Sequence, residues 1–236
     1  KWREAMGGNI LAIVSGGAAL QERLTKVFWA ARIPVYEGYG LTETSPVIAV
    51  NNPNKKNGVR LGTVGPALEN VHIKINNEGE ILCKGPNVMM GYYKDKERTA
   101  EVIDNDGWFH TGDIGHMKKG GYLKITDRKK EIFKTSAGKY ISPQLIENKL
   151  KESIFIEQVM VVGENEKYAS AIIAPNFNFL HDWCSYKKIN YRDNEEMISL
   201  PRVINRFQRI ISEYNKELGA KKKIKRFRLV HEEWTP

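Results

Sequence analysis

Tyr36-Glu37-Gly38-Tyr39-Gly40-Leu41-Thr42-Glu43-Thr44-Ser45-Pro46 is the stretch on which the reading of this chain turns. Two glycines flank an aromatic ring, and a hydroxyl and a carboxylate follow at once. Gly38 and Gly40 lack a Cβ, so the backbone there can turn sharply and approach a flat ligand. Tyr39 offers a ring face. Thr42 can donate to a phosphate oxygen, and Glu43 is a hard-oxygen ligand suited to Mg²⁺. The plainer alternative is a strand that ends in a Gly-rich turn.

Upstream, Ile10–Val14 is a short β-branched apolar run that ends at Ser15-Gly16-Gly17. Leu20, Leu24, Val27, Phe28 and Ala31 then recur at helical spacing. Ile33-Pro34-Val35-Tyr36 reads as the next strand. A strand–helix–strand unit predicts a parallel pair with a right-handed crossover, and ligands gather at the carboxyl ends of such strands. Both Gly-rich turns fall there.

Downstream, from Asn51 to about Gly91, Gly and Pro punctuate short alternating runs. Val71–Ile75, a turn at Asn76-Asn77, and Glu80–Cys83 predict a small antiparallel sheet or barrel. Thr99–Ile103 reads as a brief helix. In Gly107-Trp108-Phe109-His110-Thr111-Gly112-Asp113, Gly112 permits a tight turn that presents a carboxylate. Such a carboxylate can accept ribose hydroxyls or satisfy local N–H groups. Tyr122–Thr126 reads as a strand broken by Asp127-Arg128-Lys129-Lys130-Glu131, either a solvated linker or a hinge. Thr135–Tyr140 reads as a polar loop. Ser142 and Pro143 mark a helix start, with Leu145, Ile146 and Leu150 inward. Strands at Val159–Val162 and Ser170–Ala174, helices at Phe179–Lys188 and Pro201–Leu218, and a strand at Ile224–Val230 complete the chain. Val203, Ile204, Phe207, Ile210, Ile211, Tyr214 and Leu218 form one apolar stripe.

The fold class expected is α/β followed by α+β, divided at residues 1–126 and 127–236. With 236 residues, 41% of them hydrophobic, the chain can bury a sizeable core. No apolar run approaches the ~20 residues of a membrane span. The N-terminus has no signal-peptide pattern. Cys83 and Cys184 are far apart and in no metal-ligand spacing, and the five histidines do not cluster. A reduced, cytoplasmic setting is the simpler reading, with membrane association as an option. Net charge is +9, and Lys216–Arg228 alone holds seven basic residues and one acid. A solvated helix end and strand edge is the favoured account of that run, with peripheral membrane contact as the other. A nucleic-acid face would spread its basic residues and interleave aromatics, so no nucleic-acid partner is expected.

Four motifs in order carry a resemblance: Ser15-Gly16-Gly17-Ala18, Tyr39-Gly40-Leu41-Thr42-Glu43, Gly107–Asp113 and Asp127–Glu131. The chain resembles the adenylate-forming superfamily over essentially its whole length. Phe133–Pro143 makes it similar to the long-chain fatty acyl-CoA synthetase branch. The resemblance implies the C-terminal part of a large adenylation domain and a small mobile C-terminal domain. It implies fatty acid, ATP and coenzyme A as substrates, with Mg²⁺. A carboxylate attacks the α-phosphate, and the thiol then displaces AMP. It also implies residue roles. Gly16, Gly17 and Ala18 would pack on one face of adenine, with Tyr39 and its neighbour Gly40 on the other. Thr42 would bond the α-phosphate and Glu43 would hold Mg²⁺. Asp113 would take the ribose hydroxyls, assisted by Arg128. Lys130 would be the hinge, and Gly138 and Lys139 would line the pantetheine passage.

The chain departs from the family in three places. Ala19 stands where relatives carry Pro. The Ser/Thr/Gly-rich phosphate loop and the Gly-flanked lysine of adenylation are both missing. These are expected before Lys1 and after Pro236, so the chain is expected to be a C-terminal portion of a longer enzyme, inactive alone. Two alternatives stand beside the main reading. One is a ligase for another acid, aryl or medium-chain. The other is a basic module for membrane or nucleic acid, which gives the four ordered motifs no role.

Overall fold

The structure, a computed structural model, describes residues 2–18, 20–217, 223–232 and 234. It divides into two compact units, Lys1–Lys129 and Lys130–Pro236.

In the first unit a short helix α1 (Trp2–Ala5) precedes β1 (Ile13–Ser15), α2 (Glu22–Ala30), β2 (Val35–Gly40) and β3 (Val47–Val50). β1 and β2 pair in parallel with Ser15 opposite Glu37, as the strand–helix–strand pattern predicts. β3, which the Gly-rich turn masks in the sequence, returns antiparallel to β2. β1 begins three residues later than expected. The Ile10 carbonyl is taken by the Arg3 guanidinium at 2.9 Å and does not join the sheet. The inward face of α2 also differs. Leu24 and Val27 are exposed while Thr25 is fully buried. Two side-chain bonds select that face: Thr25 Oγ1 to Glu37 Oε1 at 3.4 Å and Trp29 Nε1 to the Val35 carbonyl at 3.0 Å.

A four-stranded antiparallel sheet follows, in the order β4 (His72–Ile75), β5 (Glu80–Lys84), β6 (Phe109–Lys118), β7 (Tyr122–Arg128). Tyr39, Ile48, Ala49, Val71, Ile81 and Leu123 belong to one core that both sheets supply. The brief helix α3 runs Lys96–Val102, starting earlier than expected because the Asp95 carboxylate caps it through the Arg98 N–H at 2.9 Å. Gly112 lies within β6 rather than in a turn. Its φ of 72° marks a bulge at which the β5–β6 register shifts. β7 continues to Arg128, since Asp113 and Ile114 pair with Arg128 and Asp127. Asp127 is fully buried, so it is not part of a solvated linker. The first unit therefore extends three residues past the expected division.

The second unit opens on the single 3₁₀ turn Lys129–Glu131, which straddles the division, and a hairpin, β8 (Phe133–Lys134) with β9 (Tyr140–Ile141). After α4 (Pro143–Leu150), β10 (Ile156–Val162) pairs antiparallel with β11 (Ser170–Pro175). Helices α5 (Phe177–Tyr186), α6 (Asn194–Ser199) and α7 (Pro201–Glu217) then cross back, and β12 (Arg226–Leu229) lies parallel to β11. Ile146, Leu150, Ile173, Leu180, Phe207 and Ile211 centre the core. Ser142 occupies the N-cap of α4 without a side-chain bond, and Leu145 is only half-buried. α5 is shifted two residues toward the N-terminus, because Asn176 caps it through the Phe179 N–H. α6, absent from the periodicity, is capped by Asp193 through the Glu196 N–H at 2.8 Å. On α7, Ile204 is exposed and falls out of the apolar stripe. Leu218 lies outside the described residues, as do Ala19 and Lys221-Lys222 of the basic run. Lys223, Lys225, Arg226 and Arg228 are exposed. Cys83 and Cys184 are buried free thiols.

Candidate active site

The site is built from the end of β2. Ser15 pairs with Glu37, so the turn after β1 is brought beside Gly38. A Cβ at Gly16 would lie 3.4 Å from the Gly38 carbonyl. Gly17 has φ 82°, a conformation only glycine adopts freely, and Gly16, Gly17 and Ala18 are exposed. The turn after β1 is thus the neighbour of the Gly-rich end of β2, where Gly38 and Gly40 lie within the strand and not in a turn. Gly40 has a tighter requirement. Its Cβ would stand 1.6 Å from the Pro46 carbonyl oxygen, so the β2–β3 bulge admits no side chain there.

Tyr39 is buried in the core, and its hydroxyl donates to Asp113 Oδ2 at 2.7 Å. Burial, and then the adjacent Asp113 carboxylate, hold the phenol well above its ordinary range, so it remains a donor. Arg128 is the cross-strand partner of Asp113 and donates from Nε to Oδ1 at 3.2 Å. The Asp113 carboxylate is 7% exposed, while Arg128 is 59% exposed. Asp113 is therefore oriented from two sides, and a carboxylate has about four lone-pair positions, so acceptor capacity remains.

Thr42 and Glu43 lie on a single 3₁₀ turn, Thr42–Thr44. The buried Thr44 hydroxyl fixes that turn, accepting the Leu41 N–H at 2.9 Å. Thr42 is exposed. Glu43 is half-buried, and its Oε1 accepts the Tyr92 hydroxyl at 2.9 Å. Burial and Glu43 both raise the Tyr92 phenol above its usual value.

Behind the β6 bulge stands a buried carboxylate that sequence reasoning missed. Glu80 Oε1 accepts the Gly112 N–H at 3.2 Å, and Oε2 accepts Lys129 Nζ at 3.0 Å and Asn76 Nδ2 at 3.3 Å. Burial would raise this carboxyl, but Lys129 and His110 outweigh it and the net direction is down. The signal available was a Glu opening the apolar run Ile81–Cys83. Thr44 and Tyr92, also missed, carry no such signal.

Lys130, Gly138 and Lys139 belong to the second unit. Lys130 is within the 3₁₀ turn Lys129–Glu131. Gly138, at φ 74°, donates its N–H to the Thr135 carbonyl at 2.8 Å, and Gly138 and Lys139 are exposed at the hairpin tip. Among the described residues there is no group of three or more His, Cys, Asp or Glu able to hold a metal, and no helix is long and apolar enough to cross a membrane.

Residues 2–93 match the AMP-binding enzyme model and residues 130–234 match the AMP-binding enzyme C-terminal domain. The chain belongs to the AMP-binding enzymes. It is 34% identical over 236 residues to the long-chain-fatty-acid–CoA ligase FadD15 of Mycobacterium tuberculosis, covering all of this chain and 39% of that protein. It is 35% identical over 216 residues to the peroxisomal long chain acyl-CoA synthetase 7 of Arabidopsis thaliana, 86% of this chain and 31% of that protein. The rat long-chain-fatty-acid–CoA ligase 5 is 40% identical over 186 residues, 75% of this chain and 27% of the relative. The chain thus spans about two fifths or less of these relatives. Among solved structures, the anthranilate CoA ligase AuaEII in complex with anthranoyl-AMP superposes with TM-score 0.71 at 19% identity, covering 94% of this chain and 41% of that one. The didomain of carboxylic acid reductase from Segniliparus rugosus in complex with AMP gives 0.72 at 25%, covering 99% and 32%. These share the fold.

Proposed function

We propose that the whole protein carrying this chain is an AMP-forming ligase that joins a long-chain fatty acid to coenzyme A. The observation that carries the reading is Asp113, held between Tyr39 of the Gly-rich strand end and Arg128, in a chain whose relatives are named long-chain-fatty-acid–CoA ligases. The exposed Gly16–Ala18 turn takes one face of adenine, and the Tyr39–Gly40 backbone the other. Asp113 accepts the ribose hydroxyls, and Arg128 orients it and adds a donor. The Thr42 hydroxyl donates to the α-phosphate as the fatty acid carboxylate attacks it and pyrophosphate leaves, giving acyl-AMP.

Glu43 offers one carboxylate with one oxygen bonded to Tyr92. Mg²⁺ is commonly held by one or two carboxylates completed by phosphates and water, so this donor fits. The ion supplies charge neutralisation on the phosphates. The first unit is assigned to the large domain and the second to a small domain that swings at Lys130. Gly138 and Lys139 then border the pantetheine of coenzyme A in thiolysis. A cytoplasmic enzyme with peripheral membrane contact through Lys223, Lys225, Arg226 and Arg228 belongs to the same reading.

The test is to incubate the whole protein with ATP, Mg²⁺, coenzyme A and a panel of acids. Palmitate-length acids should give AMP and the CoA thioester with the highest kcat/KM. A preference for benzoate or hexanoate would replace the substrate assignment while leaving the reaction class in place.

A further inference from the structure

We propose that Glu80 is a positioning residue for the nucleotide ribose, acting through the Gly112 N–H on the carboxylate of Asp113. The inference rests on the assignment of Asp113 to the ribose hydroxyls. The β6 bulge is needed to turn Asp113 toward Tyr39 and Arg128, yet a bulge leaves backbone groups without ladder partners. Three bonds replace them. The Thr111 hydroxyl donates to the Ile81 carbonyl at 2.8 Å, the Asp113 N–H donates to Thr111 Oγ1 at 3.1 Å, and the Gly112 N–H donates to Glu80 Oε1 at 3.2 Å. Only the last comes from an ionised side chain, and that side chain is 4% exposed.

The opposite oxygen of Glu80 secures Lys129, which also meets Glu78 at 2.8 Å, and His110 Nδ1 is 3.5 Å away. One buried carboxylate thus holds the backbone N–H of the residue preceding Asp113 and the side chain of the residue following Arg128. Both ends of the Asp113–Arg128 pair are tied to it. A group placed only for charge balance would not need an oxygen on the Gly112 amide. A conformationally free glycine at φ 72° has more to gain from that bond than any other residue type.

The experiment compares ATP with 2′,3′-dideoxy-ATP in the pyrophosphate exchange of the whole protein and four variants. Wild type should favour ATP in kcat/KM by about tenfold or more, the worth of hydrogen bonds to a charged acceptor. Asp113→Asn should lose most of that preference. Glu80→Gln keeps an amide oxygen for Gly112 and should retain the preference, though absolute rates fall. Glu80→Asp keeps the charge but draws the oxygen back by one methylene, and should lower the preference at least about fivefold. Glu80→Ala should do the same if it folds; the Gln–Asp comparison stands without it. If Glu80→Asp preserves the preference, or Glu80→Gln loses it, Glu80 acts as a charge and the inference is overturned. If wild type does not distinguish the two nucleotides, the ribose assignment falls and takes this inference with it.

Discussion

Tyr39 donates to Asp113 at 2.7 Å across 74 residues of sequence, and the bond joins the sheet of β1–β3 to the sheet of β4–β7. It is a buried bond to a carboxylate, so it contributes more than a bond between neutral groups. Tyr39→Phe keeps the ring in the core and removes only this donor. The first unit should lose about 1–3 kcal/mol in urea unfolding. An unchanged midpoint would show that Arg128 alone holds Asp113.

Gly40, at the end of β2, and Gly17, in the turn after β1, are both needed as glycine, but for different reasons. Gly40→Ala drives a Cβ into the Pro46 carbonyl, 1.6 Å away, and backbone must shift to relieve it. That should cost about 3 kcal/mol or more. Gly17→Ala meets nothing within 4 Å and only strains φ. It should cost about 1–2 kcal/mol. Melting curves of the two variants should separate in that order, and a reversed order would contradict the β2–β3 bulge.

Glu37 provides a pH-dependent test. Burial, only partly offset by the Thr25 hydroxyl, raises its carboxyl above 4.5. A carboxyl raised on folding binds its proton more tightly in the folded state. Its penalty is absent below pH 4.5 and grows as pH rises through the folded value. Glu37→Gln keeps the shape and removes the charge. It should raise Tm at pH 7, and the gain over wild type should vanish near pH 4. A loss of stability at pH 7 would mean that the ionised form is held by Thr25 better than burial penalises it.

The β1–β2 pair, the strands β4, β5, β7 and β10–β12 and most of the helices were legible because apolar periodicity reports which side of an element is buried. Val71–Ile75 and Glu80–Cys83 read directly as β4 and β5. Helix α2 was misread on its inward face, because Thr25 and Trp29 are placed by polar bonds to β2 that periodicity does not register. Gly112 read as a turn residue, since a glycine at positive φ looks the same in a hairpin and in a strand bulge. Asp127 read as solvated because four of its neighbours are charged, yet strand pairing buries it. At the site, Tyr39, Asp113 and Arg128 were each singled out, but the direct bonds among them depend on strand register. Glu80 acts on the Gly112 bulge, Thr44 on the turn that carries Thr42 and Glu43, and Tyr92 on Glu43, contacts that depend on the folded register.

Tyr92 allows the role of Glu43 to be tested in two steps. Its hydroxyl donates to one Glu43 oxygen at 2.9 Å, so it orients the carboxylate in the way that outer partners orient a metal ligand. Glu43→Ala in the whole protein should lower Mg²⁺-dependent pyrophosphate exchange by roughly 10²–10³-fold. Tyr92→Phe leaves the carboxylate in place and removes only its orienting bond. The Mg²⁺ concentration for half-maximal exchange should rise about tenfold, with the rate at saturating Mg²⁺ largely restored. Near-normal exchange by Glu43→Ala would remove the metal role altogether. A Tyr92→Phe enzyme that is slow at every Mg²⁺ concentration would instead make the Tyr92 hydroxyl a contact to substrate rather than to the metal ligand.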